Sequence, residues 1–563
     1  MDSTSDLGGG PVPERGNPGR TPPPQPVRRL AALGEDVRGR DLPPPRYQGS
    51  IPFTPAVLER HGALVLRPAE ATLVAGRPAP LPSAYRAGVL LVAEGVAQDD
   101  EFLRTANVAL EELGVSLVKP RPLSSDERLG RYRERLTDLP RPVAIQVSGK
   151  AGPRKVDAWQ VLQTLRVSGV ANRARPGAIG LDHLLVGSAM VSIGGSPGAV
   201  EGSPGAVEGS NGPAVYLRPG TGGRVPVAVA AAPPRPSPTC QRRRPVVAVL
   251  DTGMSPHPWL TGVVEPDPDV QAAVLAAESL LQASQQTPVQ LLADAWDTPF
   301  DDEDFVQDID THAGHGTFIA GLIRQVAPDA RVTAVRIMHP DGVVYEGDLL
   351  AALRTLRLRM EDALRAGSPN GVVDVVSLSL GYFDERTEDD PEGVYTSALA
   401  AEINGLAACG VLVVAAAGNF STDRPFYPAA FAAAPPAAGP PVISVGAWNP
   451  NGSKALFSDD GAWVTGWALG AALVSTYPNF QGATQPEMGQ EGGRRQTLDT
   501  DDYSGGFAVW SGTSFAGPLL AAEVAELLFA FSEQQADLSL STITADAAMS
   551  RVGNVLDVLR KQG

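Results

Sequence analysis

The chain reads as an α/β protein: a three-layer domain with a mostly parallel sheet over residues 245–563, preceded by a small α+β unit over residues 49–190. Three observations predict this. From residue 245 onward, continuous apolar runs alternate with helical patterns, as they do when a parallel sheet is covered by helices on both faces. Residues 191–244 are rich in Gly and Pro, and Ser196-Pro197-Gly198-Ala199-Val200-Glu201-Gly202 recurs in full as residues 203–209. Such a segment cannot bury a core and reads as a flexible linker. Residues 49–190 carry strand and helix patterns of their own, whereas residues 1–48, rich in Pro, Gly and Arg, read as a disordered tail.

In the N-terminal unit, residues 89–93 are an apolar run that predicts a strand. Residues 101–113 place Phe102, Ala106, Ala109, Leu110 and Leu113 on one side of a helix. Strands are expected at 115–118 and 143–147, and a helix at 157–167, capped by Asp157 with Trp159, Val161, Leu162 and Leu165 facing inward. That order suggests a ferredoxin-like fold. In the C-terminal domain, strands are expected at 245–250, 331–337, 372–378 and 411–416, and helices at 315–325, 347–365 and 514–531.

The chemistry is concentrated at the ends of these elements. Ser511-Gly512-Thr513-Ser514-Phe515-Ala516-Gly517-Pro518 opens an apolar helix, with Gly512 permitting a sharp turn and Pro518 expected within the first turn, whose amides have no intrahelical acceptor. A serine hydroxyl needs a base to become a nucleophile, commonly a histidine oriented by a carboxylate. Of six histidines, His315 lies in Gly314-His315-Gly316-Thr317, where small neighbours allow a substrate backbone to approach. His312 stands at H-x-x-H spacing from it, but no further ligand cluster lies nearby to complete a metal site. Asp251 ends the apolar run 245–250, where open α/β sheets place functional groups.

In the order Asp, His, Ser, the motifs Asp251-Thr252-Gly253, His315-Gly316-Thr317 and Gly512-Thr513-Ser514-Phe515-Ala516-Gly517-Pro518 resemble the subtilisin-like serine proteases, the subtilases, over roughly residues 245–563. The resemblance implies a serine endopeptidase with a subtilisin-like fold, in which Ser514 is the nucleophile, His315 the base, Asp251 its orienting carboxylate and Asn419 the oxyanion-hole residue. It further implies that Ser379, Leu380 and Gly381 pair with the substrate backbone and form one wall of the specificity pocket, with Ala416, Ala417 and Gly418 as the other. Phe426-Tyr427-Pro428-Ala429 resembles the rim near the pocket base. With no carboxylate at a position the family uses for basic residues, an apolar or aromatic side chain is expected before the cut bond. A catalytically silent scaffold would have lost a member of the triad, and none is lost. An amidase or esterase acting on other substrates is the remaining alternative.

Composition limits the rest. No apolar run approaches a spanning helix, and the N-terminus lacks the basic and apolar regions of a signal peptide, so no membrane partner and a cytoplasmic location are expected. Cys240 and Cys409 suggest no disulfide scaffold. The net charge of −17 is asymmetric: residues 1–244 carry about 31 Lys and Arg against about 22 Asp and Glu, so the remainder is strongly acidic. The acidic half argues against nucleic acid, and the opposite signs either favour docking of the two parts or only keep each part soluble. No cofactor is required. Calcium is a candidate structural ion at Asp297, Asp301, Asp302, Glu303, Asp304, Asp308 and Asp310, a carboxylate-dense loop. Beyond a protein or peptide substrate, the expected partner is the N-terminal unit in cis, since many subtilases carry an N-terminal propeptide of ferredoxin-like fold that blocks the cleft; residues 49–190 are longer than a usual family propeptide, and a regulatory or partner-binding domain is the alternative. Self-cleavage is expected within 191–244.

Overall fold

Apolar strands that expose neither face to water must be covered on both sides, and the C-terminal half is built this way. The computed structural model describes residues 51–74, 77–136, 138–148, 156–171, 177–188, 224–240, 242–282, 292, 294–300, 309–386, 397–489 and 495–562. The strands of the N-terminal unit are β1 (Ala63–Leu66), β2 (Ser83–Ala93), β3 (Val115–Leu117), β4 (Pro140–Val147) and β5 (Ile179–Gly187). They are followed by β6 (Val225–Pro226), β7 (Val246–Asp251), β8 (Val264–Pro266), β9 (Arg331–Arg336), β10 (Val343–Tyr345), β11 (Val375–Leu378) and β12 (Leu380–Gly381). The last are β13 (Leu412–Ala416), β14 (Ile443–Trp448), β15 (Gly466–Leu469), β16 (Leu473–Thr476) and β17 (Phe507–Trp510).

The central sheet has the order β15-β14-β13-β11-β7-β9-β8, and its paired neighbours run parallel. Helices Pro268–Gln282, Glu346–Ala366 and Ala398–Ala408 contribute Val274, Leu350 and Leu399 to the core on one face. Helices His315–Val326, Thr513–Gln534 and Ala545–Gln562 contribute Phe318, Phe515 and Val555 on the other. This is a three-layer α/β domain. β7 is the fifth of the seven strands, with β9 on one side and β11 on the other, so its C-terminal end is the topological switch point.

In the N-terminal unit, β2, β3, β4 and β5 enclose helices Asp100–Ala109 and Ala158–Val167 in the order strand-helix-strand-strand-helix-strand. Their spatial order, β5-β2-β4-β3, is antiparallel throughout, the split βαβ arrangement. The helix expected over 101–113 stops at Ala109; Glu111–Leu113 form a separate 3-10 turn closed by Gly114 at φ +68°.

The unit is not self-contained. β5 also pairs with β10 and β12 of the C-terminal half, which extends one sheet across the expected boundary at 190. Leu91, Leu139 and Leu185 join the same core as Val270 and Leu349. Charges meet across the contact, Arg86 with Glu278 at 2.9 Å, Arg135 with Asp362 at 2.7 Å and Arg60 with Asp341 at 3.0 Å.

The expected linker, 191–244, also needs correction at its C-terminal end. β6 pairs with β17, and the Arg224 guanidinium donates to the carbonyls of Ile309, Asp310 and Thr311. Arg243 forks onto Asp374 at 2.6 and 2.8 Å, so this stretch is anchored by paired backbone and charge-assisted bonds. The tail 1–48 and the repeat at 196–209 lie outside the described residues.

One composition reading is corrected as well: helix Thr513–Gln534 is long and apolar enough to cross a membrane. Here it is 72% buried over its most apolar stretch, as a core helix packed on the sheet.

Arg86 is 4% exposed, bridges Asp182 at 3.0 Å and Glu278 at 2.9 Å, and stacks over the Tyr345 ring. Removing it leaves two buried carboxylates unpaired. Arg86→Ala is therefore expected to cost about 3–5 kcal/mol, read as a lower denaturant midpoint. A loss under about 1 kcal/mol would show that water reaches this contact.

Candidate active site

Asp251 closes β7 and is fully buried. Its Oδ1 accepts from the Thr252 N–H at 2.8 Å and from His315 Nδ1 at 2.7 Å. The two elements come this close because Gly316 has no side chain: a Cβ there would lie 2.2 Å from the Gly253 carbonyl oxygen. Since a carboxylate only accepts, Nδ1 carries the proton of this bond. Nε2 has no hydrogen-bond partner among the described residues. The imidazole packs on Phe515, the residue after Ser514, with ring centroids 5.2 Å apart.

Ser514 is the second residue of helix Thr513–Gln534. Its hydroxyl donates to the Ser379 carbonyl at 3.2 Å, and the Ser379 hydroxyl donates back to the Ser514 carbonyl at 2.8 Å. The second bond explains Pro518. That proline is the sixth helical residue, beyond the first turn where it was expected, and it cannot donate to the carbonyl four residues back. That carbonyl belongs to Ser514, and Ser379 supplies the missing donor. Asn419 follows β13; its Oδ1 accepts from the Thr513 N–H and hydroxyl, both at 2.9 Å, which turns its Nδ2 toward the cleft.

The cleft holds a strand of this same chain. β5 lies between two edges, with Val186 opposite both Val343 and Gly381. Gly187 N–H donates to the Gly342 carbonyl and Ser188 N–H to the Ser379 carbonyl, each at 2.9 Å. At its end the Ser188 carbonyl oxygen accepts from the Ser514 backbone N–H at 3.0 Å and from the Asn419 side-chain amide. Ser379, Leu380 and Gly381 thus pair with a peptide backbone, while Ala416, Ala417 and Gly418 are buried at the end of β13 beside Asn419.

Sequence reading missed the opposite edge, Gly342–Tyr345, and β5 itself. The apolar stretch Leu184-Leu185-Val186 just before the linker was the available signal. It also missed His312, whose Nε2 donates to the Gly187 carbonyl at 3.0 Å. Burial, with the neighbouring His315 ring, pushes His312 down to about 3 and keeps it neutral.

Of the candidate calcium ligands, Asp301, Asp302, Glu303, Asp304 and Asp308 lie outside the described residues. Asp297 accepts from the Thr317 hydroxyl, and among the described residues no group of His, Cys, Asp or Glu is placed to hold a metal ion. Asp459 is buried behind Gly418; its Oδ1 accepts from the Phe420 and Thr422 N–H groups, and burial holds the carboxyl well above the usual range.

The Subtilase family model matches residues 242–563, more than half of the chain, and the chain belongs to this family. Subtilisin BL of Lederbergia lenta is 32% identical over 174 residues, 29% of this chain and 54% of that protein. Subtilisin-like protease 7 of Trichophyton tonsurans is 29% identical over 231 residues, 40% of this chain and 45% of that protein. The chain spans about half the length of these relatives. A lanthipeptide protease of known structure aligns over 52% of this chain and 75% of its own at 21% identity, with a TM-score of 0.32.

β5 carries two buried titratable groups inside the contact, Asp182, paired with Arg86, and His183. His183 is buried, with Nδ1 2.6 Å from Glu346, Nε2 2.7 Å from Glu385 and its face stacked on Tyr382. Burial alone would lower its pKa, but the Glu385 and Glu346 charges outweigh that and hold it well above the usual imidazole value. A raised value means that the stabilisation is complete below about pH 6.5 and is lost as pH rises through the value in the docked state. Thermal midpoints of the intact chain should therefore fall between neutral and alkaline pH, and the fall should shrink in His183→Gln. An equal fall in both proteins would assign the effect elsewhere.

Proposed function

We propose that the protein is a serine endopeptidase in which Asp251, His315 and Ser514 form the catalytic triad, and that its N-terminal unit restrains it in cis. Ser514 Oγ attacks the carbonyl carbon while His315 Nε2 takes the hydroxyl proton. Asp251 holds the tautomer and stabilises the imidazolium. The negative charge that develops on the carbonyl oxygen is met by the Ser514 N–H and the Asn419 amide. The C–N bond breaks as His315 returns the proton to the leaving amine, and water then releases the acyl group by the same path.

One observation carries the reading: the Ser188 carbonyl, on a strand hydrogen-bonded along both edges, accepts from the Ser514 N–H and the Asn419 amide. Recognition of an extended backbone on two edges favours a peptide over other amides or esters. The same observation supports restraint, since β5 fills the cleft, and it favours self-cleavage after Ser188, ahead of the expected linker sites.

Intact mass and N-terminal sequencing of the purified chain test this. Wild type should yield a fragment beginning Ala189-Met190-Val191, and Ser514→Ala should remain whole. Asn419→Ala should slow cleavage by about 10²–10³-fold, equivalent to about 3–4 kcal/mol of barrier. Cleavage of the Ser514→Ala chain at the wild-type rate would remove Ser514 from the role of nucleophile.

A further inference from the structure

We infer that Phe426 and His312 close the first two side-chain subsites, so that the cleft accepts a small residue, Gly, Ala or Ser, before the cut bond and glycine before that. The inference rests on the reading of the site given above, and it reverses the apolar or aromatic preference expected from sequence.

The residue whose carbonyl lies between the Ser514 and Asn419 donors is the one whose side chain must enter between the two walls. Those walls are 379–381 and 416–418, and the Phe426 ring already fills the space between them. A Cβ on Gly381 would lie 2.4 Å from Phe426 Cε1 and 2.8 Å from Cδ1, and a Cβ on Gly418 would lie 3.1 Å from the same Cδ1. One ring therefore touches both walls. It is fully buried, and it is held by Phe383 at 5.2 Å and Phe420 at 5.6 Å, which also meet each other at 5.3 Å. Moving it aside would disrupt a three-ring cluster in a close-packed core. Lys or Arg is disfavoured here, because Asp459 Oδ1 is taken by two backbone amides and burial pushes its carboxyl well above the usual carboxylate range.

The preceding subsite is closed by an imidazole. A Cβ on Gly187 would lie 2.6 Å from His312 Cδ2, 2.8 Å from Nε2 and 2.9 Å from Met338 Sδ. The Gly187 backbone lies outside the left-handed region, so it is this contact that forbids a side chain. His312 cannot retreat, because on its other side a Cβ on Gly342 would lie 2.2 Å from Nδ1. Further out the cleft is apolar: Leu185 is fully buried and Leu184 and Val186 nearly so. The substrate class is an extended apolar segment ending in Gly followed by a small residue, as in Leu185-Val186-Gly187-Ser188.

The test is self-processing of the full chain, followed by intact mass over time. Ser188→Phe should process at least about 100-fold more slowly than Ser188→Ala, and Gly187→Ala at least about 10-fold more slowly than wild type. Adding Phe426→Ala to Ser188→Phe should recover at least about 10-fold, a rescue that simple loss of docking would not give. Phe426→Leu is the milder partner, and each background is read as the ratio of its Ser188→Phe rate to its Ser188 rate. Processing of Ser188→Phe within about 3-fold of Ser188→Ala, or a ratio unmoved by both Phe426 variants, overturns the assignment of the subsites alone. A wild-type chain that stays whole removes the catalytic reading and this inference with it.

Discussion

The structure depends on the two-edged pairing of β5. An unpaired strand edge is a row of unsatisfied donors and acceptors, and both β10 and β12 would present one without β5 between them. The bonds that complete these edges also join the N-terminal sheet to the C-terminal half. They carry the chain to Ser188, whose carbonyl then reaches the Ser514 N–H and the Asn419 amide. The strand that completes the N-terminal sheet is therefore also the strand that occupies the cleft.

The contact divides its labour between apolar and charged groups. Leu91, Leu139 and Leu185 are buried in a core shared with helices Pro268–Gln282 and Glu346–Ala366, and burial of that surface drives association. Arg86, His183 and their carboxylates lie inside the same contact, where desolvation offsets much of their attraction. What they add is registry. A one-residue slip of β5 would turn His183 away from Glu346 and Glu385 and reverse every side chain on the strand. The basic N-terminal half and the acidic remainder meet here through a few specific pairs, and the sign asymmetry alone would not set that register.

The donors of the site are preset by contacts one step behind them. Thr513 holds both its N–H and its hydroxyl on Asn419 Oδ1, so the amide nitrogen has one direction left. Ser379 satisfies the Ser514 carbonyl that Pro518 leaves open, which ties the start of the helix to the edge that pairs with β5. Each arrangement holds its donors on the Ser188 carbonyl oxygen without further reorganisation, the condition the proposed electrostatic stabilisation requires.

The sequence by itself determined the local features. The apolar runs at β7, β9, β11 and β13 marked strands because burial on both faces requires uninterrupted apolar side chains. Asp251, His315, Asn419 and Ser514 were legible because their small neighbours form recognisable turns at strand and helix ends. What remained hidden joins residues far apart in the chain. Nothing in Leu184-Leu185-Val186 says which edge it pairs with, and the small residues around Arg224 gave no sign that β6 would be tied to β17. Phe426 reads only as part of a rim near the pocket base until the fold sets its ring against both Gly381 and Gly418, and His312 as half of a metal-like pair until Gly187 and Gly342 close on it. Local pattern reports which residues seek burial or a turn. Only the tertiary structure, through close packing between distant segments, decided which of those residues share a site and how much room they leave for a substrate.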